Sequence, residues 1–356
     1  MPGRGPRVNR RGAWIVDAET LDIERPGPLV GYLKATGRLD EDEEPVVSVL
    51  AGGVSNRTVL VERTASGERW VVKQALPKLR VATDWFSDPK RIHREALGLR
   101  WLVGLAPPGA ITPLVFEDHE NHLLAMEAVP QPHENWKTML LDGRLEMSHV
   151  EQFGRLLGAI HHGGYERREE ATRVFGDRSF FESLRLEPYY AYSAEQVPAA
   201  SGFLRTLVEE VRSRRDTLVH GDYSPKNVLV REGKLVLLDH EVIHFGEPAF
   251  DLGFSLTHFL SKAHHLPEKR AAFAEAARLY WSVYRQEVGN LPWTDGLEER
   301  AVRNALGCLL ARVAGRSPLE YLDAEELARQ REAVLALIKD PPESVPRLVE
   351  GFVGRL

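Results

Sequence analysis

With Cys308 as its only cysteine, the sequence cannot form an internal disulfide. That residue sits in ALGCLLARV, an apolar helical pattern, and reads as core packing. A reducing, cytoplasmic setting fits such cysteine usage. No apolar run reaches the ~18 residues a membrane span needs, so no membrane association is expected. A basic surplus is missing too: the net charge is −6, which gives no support for a nucleic-acid partner. The start, MPGRGPRVNRR, has four arginines but no apolar core after them, and reads as a flexible basic tail rather than a secretory signal. Internal repeats and low-complexity stretches are absent.

What is there is an ordinary globular composition. The 356 residues, 43% hydrophobic and 28% charged, suit two domains or one large bilobed unit. A short helix is expected near Leu29 to Leu39, followed by a solvated acidic linker, Asp40 to Glu44. From Val46 the pattern becomes strand-like: VVSVL, TVLVE and WVVKQ, the last two joined by a turn at Ser66-Gly67. A helix is expected to start at Asp88-Pro89, with the aspartate as N-cap. Two more strands, PLVFE and HLLAME, flank the turn DHEN. Beyond Pro130 helical patterns dominate, interrupted by one hairpin at 228–238. The expected fold is therefore α+β: a small strand-rich N-lobe, a larger helical C-lobe and a cleft between them.

Residues 220–230 read HGDYSPKNVLV, and a hairpin follows that ends in LLDHE. A hairpin returns the chain to its starting point, so Asn227 and Asp239 should lie side by side. An amide oxygen beside a carboxylate makes a hard, oxygen-rich site suited to Mg²⁺; the competing reading is that both residues merely bound strands. In the first lobe, Lys73 lies in the mostly apolar strand WVVKQ. Glu95 shares its helical face with Ile92, Leu99 and Leu102, which turns it inward. An inward carboxylate needs a cation, and Lys73 is the partner at hand. Such a pair can be structural, or can aim the lysine at nucleotide phosphates. LAGGVSN, with Gly52, Gly53, Ser55 and Asn56, sets small residues between two strands, where the backbone can approach an anion. That stretch is neither G-x-G-x-x-G nor a Walker loop.

Taken in order, these pieces resemble the aminoglycoside phosphotransferase-type kinases, a superfamily that includes choline, methylthioribose and fructosamine kinases. The resemblance runs from roughly Leu50 to Leu260 and is strongest in LVHGDYSPKNVLV and LLDHEVIHFGEPAFDLG. It implies a protein-kinase-like fold, with residues 1–45 a tail and leading helix, 46–130 the nucleotide-binding lobe, and 131–356 the lobe with the catalytic loop and acceptor site. It implies ATP and Mg²⁺ as cofactors, Asp222 as the catalytic aspartate, and Asn227 and Asp239 as metal ligands. By the same resemblance Lys73 would touch the ATP phosphates with Glu95 holding it, Gly52, Gly53, Ser55 and Asn56 would lie along the nucleotide, and backbone groups of Glu127 and Val129 would meet adenine. Asp251 would support the catalytic loop.

Glu241 would assist a second metal or meet a substrate group. Tyr189, Tyr190 and Tyr192, in an expected loop, would stack on an acceptor or pack in the core. His161 is read as a packing or capping residue. No A-P-E element and no long activation segment follow Asp239, which points from a protein substrate to a small-molecule hydroxyl acceptor. An acidic chain suits a cationic acceptor such as an aminoglycoside or choline, while sugars and homoserine stay open. The rival readings are a catalytically inactive kinase fold that binds nucleotide or metabolite, and a protein kinase.

Overall fold

Period-two alternation builds the first lobe. In the strand RWVVKQA, Trp70 and Val72 turn to one face and join Leu29 and Leu33 in an apolar cluster. Val71, Lys73 and Ala75 turn to the other face. The structure is a computed structural model that describes residues 21–50, 53–80 and 85–356; the arginine-rich start and Gly52 lie outside these.

The lobe is a five-stranded antiparallel sheet in the order β1-β2-β3-β5-β4. Its strands are β1 (Val46–Val49), β2 (Asn56–Glu62), β3 (Arg69–Ala75), β4 (Leu114–Asp118) and β5 (Leu123–Glu127). Helix α1 (Pro26–Ala35) packs Leu29 and Leu33 on one face of the sheet, and α2 (Arg91–Leu102) covers the other. Within the acidic linker Glu43 is buried rather than solvated, because Arg63 bonds it at 2.8 Å. The Asp88 side chain accepts from the Lys90 N–H at 2.9 Å, forming a local turn instead of a helix cap, and α2 starts only at Arg91.

The second lobe is helical. Strand β6 (Glu134–Asn135) leads to α3 (Trp136–Leu141), α4 (Met147–Glu166) and α5 (Arg168–Phe175). A short turn, α6 (Ser179–Phe181), runs straight into a π-helical segment, Glu182–Ala191, where a loop was expected; it contains Pro188, whose ring locally disfavours a helix. Next come α7 (Tyr192–Gln196), α8 (Ser201–Ser213) and β7 (Thr217–Val219). The expected hairpin is β8 (Val228–Arg231) and β9 (Lys234–Leu237). Strand β6 extends it by pairing with β8, and β7 pairs separately with β10 (His244–Gly246) in a two-stranded sheet. The remainder is α9 (Ala249–His265), α10 (Arg270–Val288), α11 (Leu297–Ala314), α12 (Ala324–Ile338) and α13 (Val345–Val353). Helix α9 is buried along almost its whole length, packed by α10 and α11. Among the described residues no helix is long and apolar enough to cross a membrane.

Candidate active site

A cleft of about 830 Å³ opens between the lobes. Its walls include Gly53, Ser55, Asn56, Lys73 and Glu241 on one side of Asp222, Asn227 and Asp239, and side chains of the helical lobe on the other.

The loop that carries Asp222 is fixed from beneath. Asp251, at the start of α9, accepts the N–H of His220 at 2.7 Å and of Gly221 at 2.8 Å. Its Oδ2 also meets His161 Nε2 at 3.2 Å, while His161 Nδ1 meets the Tyr284 hydroxyl at 2.9 Å. His161 is thus part of the support for the loop. Gly221 has φ +78, and a Cβ there would stand 3.0 Å from Val242, so both the conformation and the space call for glycine. Tyr223 is buried, stacks on Phe153 at 4.2 Å and donates to the Phe153 carbonyl at 2.8 Å. Asp222 and Asn227 therefore line the cleft while their neighbours anchor the loop in the core.

Asp222 Oδ2 accepts from Asn227 Nδ2 at 2.7 Å and from Arg185 at 2.8 Å. Arg185 comes from the π-helical segment and also donates to the Gly221 and Leu184 carbonyls. Burial opposes its charge, yet Asp222 holds its pKa above the usual arginine value. Oδ2 is thus doubly engaged, while among the described residues Oδ1 accepts no hydrogen bond. No pattern in the sequence had marked Arg185, because its partner lies in a distant segment.

Lys73 Nζ stands 2.6 Å from Glu95 Oε1 and 3.0 Å from Asp239 Oδ1. Burial opposes the ammonium, but Asp239 and Glu95 hold its pKa above the usual lysine range. For Asp239, burial is outweighed by Lys73 and then Lys226, and its carboxyl lies below the usual range. Burial pushes Glu95 up, to about 7, against the pull of Lys73. Of the two carboxylates Glu95 is the one that takes a proton first, and Asp239 keeps its charge.

Asp239 adopts φ 67, a left-handed conformation that a short polar side chain tolerates. The Leu238 N–H bonds the Asn227 carbonyl at 2.8 Å, which brings the two expected metal ligands to one end of the hairpin. Asn227 spends its N–H groups on Asp222. Among the described residues, Asn227 Oδ1 and Asp239 Oδ2 accept no protein hydrogen bond. One amide and one carboxylate oxygen facing the cleft fit a hard divalent cation.

Glu241 also lines the cleft, but its Oε2 is held by Arg91 Nε at 3.1 Å and Asn56 Nδ2 at 3.3 Å. Arg91 is fully buried and donates to the Ser55, Leu76, Ser87 and Asp88 carbonyls as well. The Glu241–Arg91 pair therefore ties the segment after Asp239 to the first lobe. Glu127 is exposed and Val129 buried at the end of β5; neither is a wall residue of the cleft, and the Glu127 N–H donates to Pro113. Of the three tyrosines, Tyr189 lines the cleft. Tyr190 is buried, with its hydroxyl on Asn304 and Cys308, and Tyr192 lies under Arg316.

Away from the cleft, His93, Glu117 and His119 group on the first lobe. The two imidazoles stack nearly parallel, at 4.0 Å and 13°, so their in-plane lone pairs do not converge on one ion.

Residues 46–289 match the family described as phosphotransferase enzyme family. The chain is 24% identical to a methylthioribose kinase of Pectobacterium atrosepticum over 264 residues, 67% of this chain and 66% of that one. It is 22% identical to a methylthioribose kinase of Pectobacterium carotovorum over 335 residues, 84% and 83% of the two chains. The chain thus spans just under two thirds of the first relative's length and over four fifths of the second's. Among solved structures it is similar to a choline kinase from Cryptosporidium parvum, with TM-score 0.54, 12% identity and 89% and 96% of the chains covered. It is also similar to an ethanolamine kinase of Plasmodium vivax, with TM-score 0.53, 11% identity and 86% and 87% covered. These structural likenesses show the fold, which is the bilobed one expected.

Proposed function

This chain belongs to the phosphotransferase enzyme family, and we propose that it moves the γ-phosphate of ATP, with Mg²⁺, to a hydroxyl of a small molecule. The observation that carries the reading is the convergence of Lys73, Asp222, Asn227 and Asp239 on one cleft. Asp222 orients the acceptor hydroxyl and takes its proton on Oδ1, while Arg185 and Asn227 fix the carboxylate through Oδ2. Lys73, positioned by Glu95, presents its remaining N–H to the phosphates. Asn227 and Asp239 would hold Mg²⁺, which when bound neutralises phosphate charge. Gly53, Ser55 and Asn56 lie where the phosphates would pass, with Gly52 next to them in the chain. The family relatives named methylthioribose kinase support a small-molecule acceptor.

The test is transfer of label from γ-labelled ATP, with Mg²⁺, to a pool of hydroxylated metabolites and aminoglycosides, with Asp222→Asn as control. Label in one small molecule, absent with the variant, is the expected result. ATP binding with no label moved from any preparation contradicts the reading and favours an inactive nucleotide-binding fold.

A further inference from the structure

Beyond Asp222, on the side of the helical lobe, the cleft has a charge opposite to that of the whole chain. Lys137 from α3, Lys226 from the catalytic loop, Arg312 near the end of α11 and Arg316 just after it all line it. The carboxylate among these walls is Glu320, already bonded to Lys137. Among the described residues, Lys226, Arg312 and Arg316 form no direct ion pair, although Lys226 faces Asp239 and Arg312 faces Glu320 at longer range. Arg312 lies over the rings of Tyr189 and Phe254, at 5.2 and 5.4 Å. It bonds Ser317 through Nη1, and its Nε is buried without a partner. A guanidinium fixed in this way is prepared for a planar or tetrahedral anion.

Two buried groups behind this wall point to the same charge. His258 of α9 lines the cleft at 3% exposure, and its Nε2 has no hydrogen-bond partner. Burial, then Lys262, Arg312, Lys137 and Lys226, drive its pKa well below the ordinary histidine value. It is therefore a neutral ring with one N–H to give. Lys262, one turn further along α9, is fully buried; its Nζ meets the His258 carbonyl at 3.4 Å and no carboxylate among the described residues. Burial, Lys137 and Arg312 push its pKa down to about 7, against Glu320. On this wall, beyond Asp222, the cations gathered around the one paired carboxylate repel an ammonium and attract an anion.

We propose that the acceptor carries an anionic group, a carboxylate or a phosphate ester, which Arg312, Lys226 and His258 receive while its hydroxyl meets Asp222. This rests on the kinase reading for the place of the hydroxyl, and sets the substrate class against the cationic acceptors that the net charge of the chain had suggested. Lys137 and Arg316 widen the positive field at the mouth. On this side of Asp222 a purely cationic acceptor would meet only Glu320, in competition with Lys137.

The test is calorimetric binding of a matched series, gluconate, glucose 6-phosphate, glucose and glucosamine, to the full chain with Mg²⁺ and a non-hydrolysable ATP analogue. At least one anionic member should bind about tenfold or more tighter than glucosamine. Arg312→Met should reduce that preference to within about twofold. Arg312→Lys, which keeps the charge, should retain much of it and serves as the folding control. The carboxylate and phosphate arms show which anion the wall favours. Equal binding across the series, no binding by either anion, or tighter binding of glucosamine overturns the proposal. Labelled phosphate entering glucosamine in preference to gluconate also overturns it while leaving the kinase reading intact. An anion preference without any phosphate transfer would sink the kinase reading instead.

Discussion

Arg185 holds Asp222 by a 2.8 Å contact to Oδ2, the same oxygen that Asn227 bonds at 2.7 Å. Two donors on one oxygen fix the carboxylate plane and leave Oδ1 directed at the cleft. Arg185 does not touch the reacting atoms in this scheme; it positions the group that does. Arg185→Met should therefore lower kcat on the order of tenfold or more through misplacement of Asp222, with little change in the KM for ATP. Arg185→Lys should recover part of the loss. Steady-state kinetics checks this, and an equal rise of KM with kcat unchanged would contradict it.

Lys73 and Glu95 separate stability from chemistry. Removing the lysine alone strands a fully buried carboxylate, so Lys73→Met should cost about 3–5 kcal/mol in urea denaturation. The double change Lys73→Met with Glu95→Leu should return part of that stability, because the helix-face carboxylate is gone while Asp239 still lacks its lysine. Activity should stay lost in both proteins. A double variant that transfers phosphate at the wild-type rate would show that Lys73 has only a structural role.

Glu241 is a tie between lobes, by its bonds to Arg91 and Asn56. Glu241→Gln weakens a buried charge-assisted pair and should cost about 1–3 kcal/mol of stability. Mg²⁺ titration of activity distinguishes this from metal binding: a large rise in the Mg²⁺ needed, with stability unchanged, would make Glu241 a ligand instead.

Lys262 gives a pH-dependent prediction. Its folded pKa is lowered to about 7 from 10.5, so between those values the unfolded chain holds a proton that the folded chain has lost. Its contribution thus makes stability rise with pH across that window, and the cost of the buried charge is greatest below it. Lys262→Met should stabilise the protein by on the order of 1–4 kcal/mol near pH 6, and by less at pH 9. Denaturation at the two pH values checks both sign and trend; a variant less stable at pH 6 would contradict the assignment.

What the sequence revealed follows from locality. Asp222, Asn227 and Asp239 lie in one short loop and hairpin, where turn and strand signals fix their relation. Glu95 was legible because helical spacing with Ile92, Leu99 and Leu102 turned it inward, and an inward carboxylate needs a cation. Arg185, Arg91 and Arg312 were not legible. Each reaches carbonyls, rings or a carboxylate far along the chain, and an arginine in a helix looks the same whether it meets solvent or a buried partner. The π-helical segment was hidden by Pro188, whose local signal is to end a helix. The positive wall on the helical-lobe side of the cleft was hidden because net charge averages over the whole surface, while the cleft gathers side chains from α3, α9, α11 and the loop after β7.

The most direct test of the account is ³¹P NMR of the full chain with ATP, Mg²⁺ and the hydroxylated panel, beside Asp222→Asn. The account predicts a new phosphate-monoester resonance that grows with ADP in wild type and is lost in the variant, which should still bind ATP. ADP with inorganic phosphate alone, or bound ATP left intact in both proteins, would contradict it.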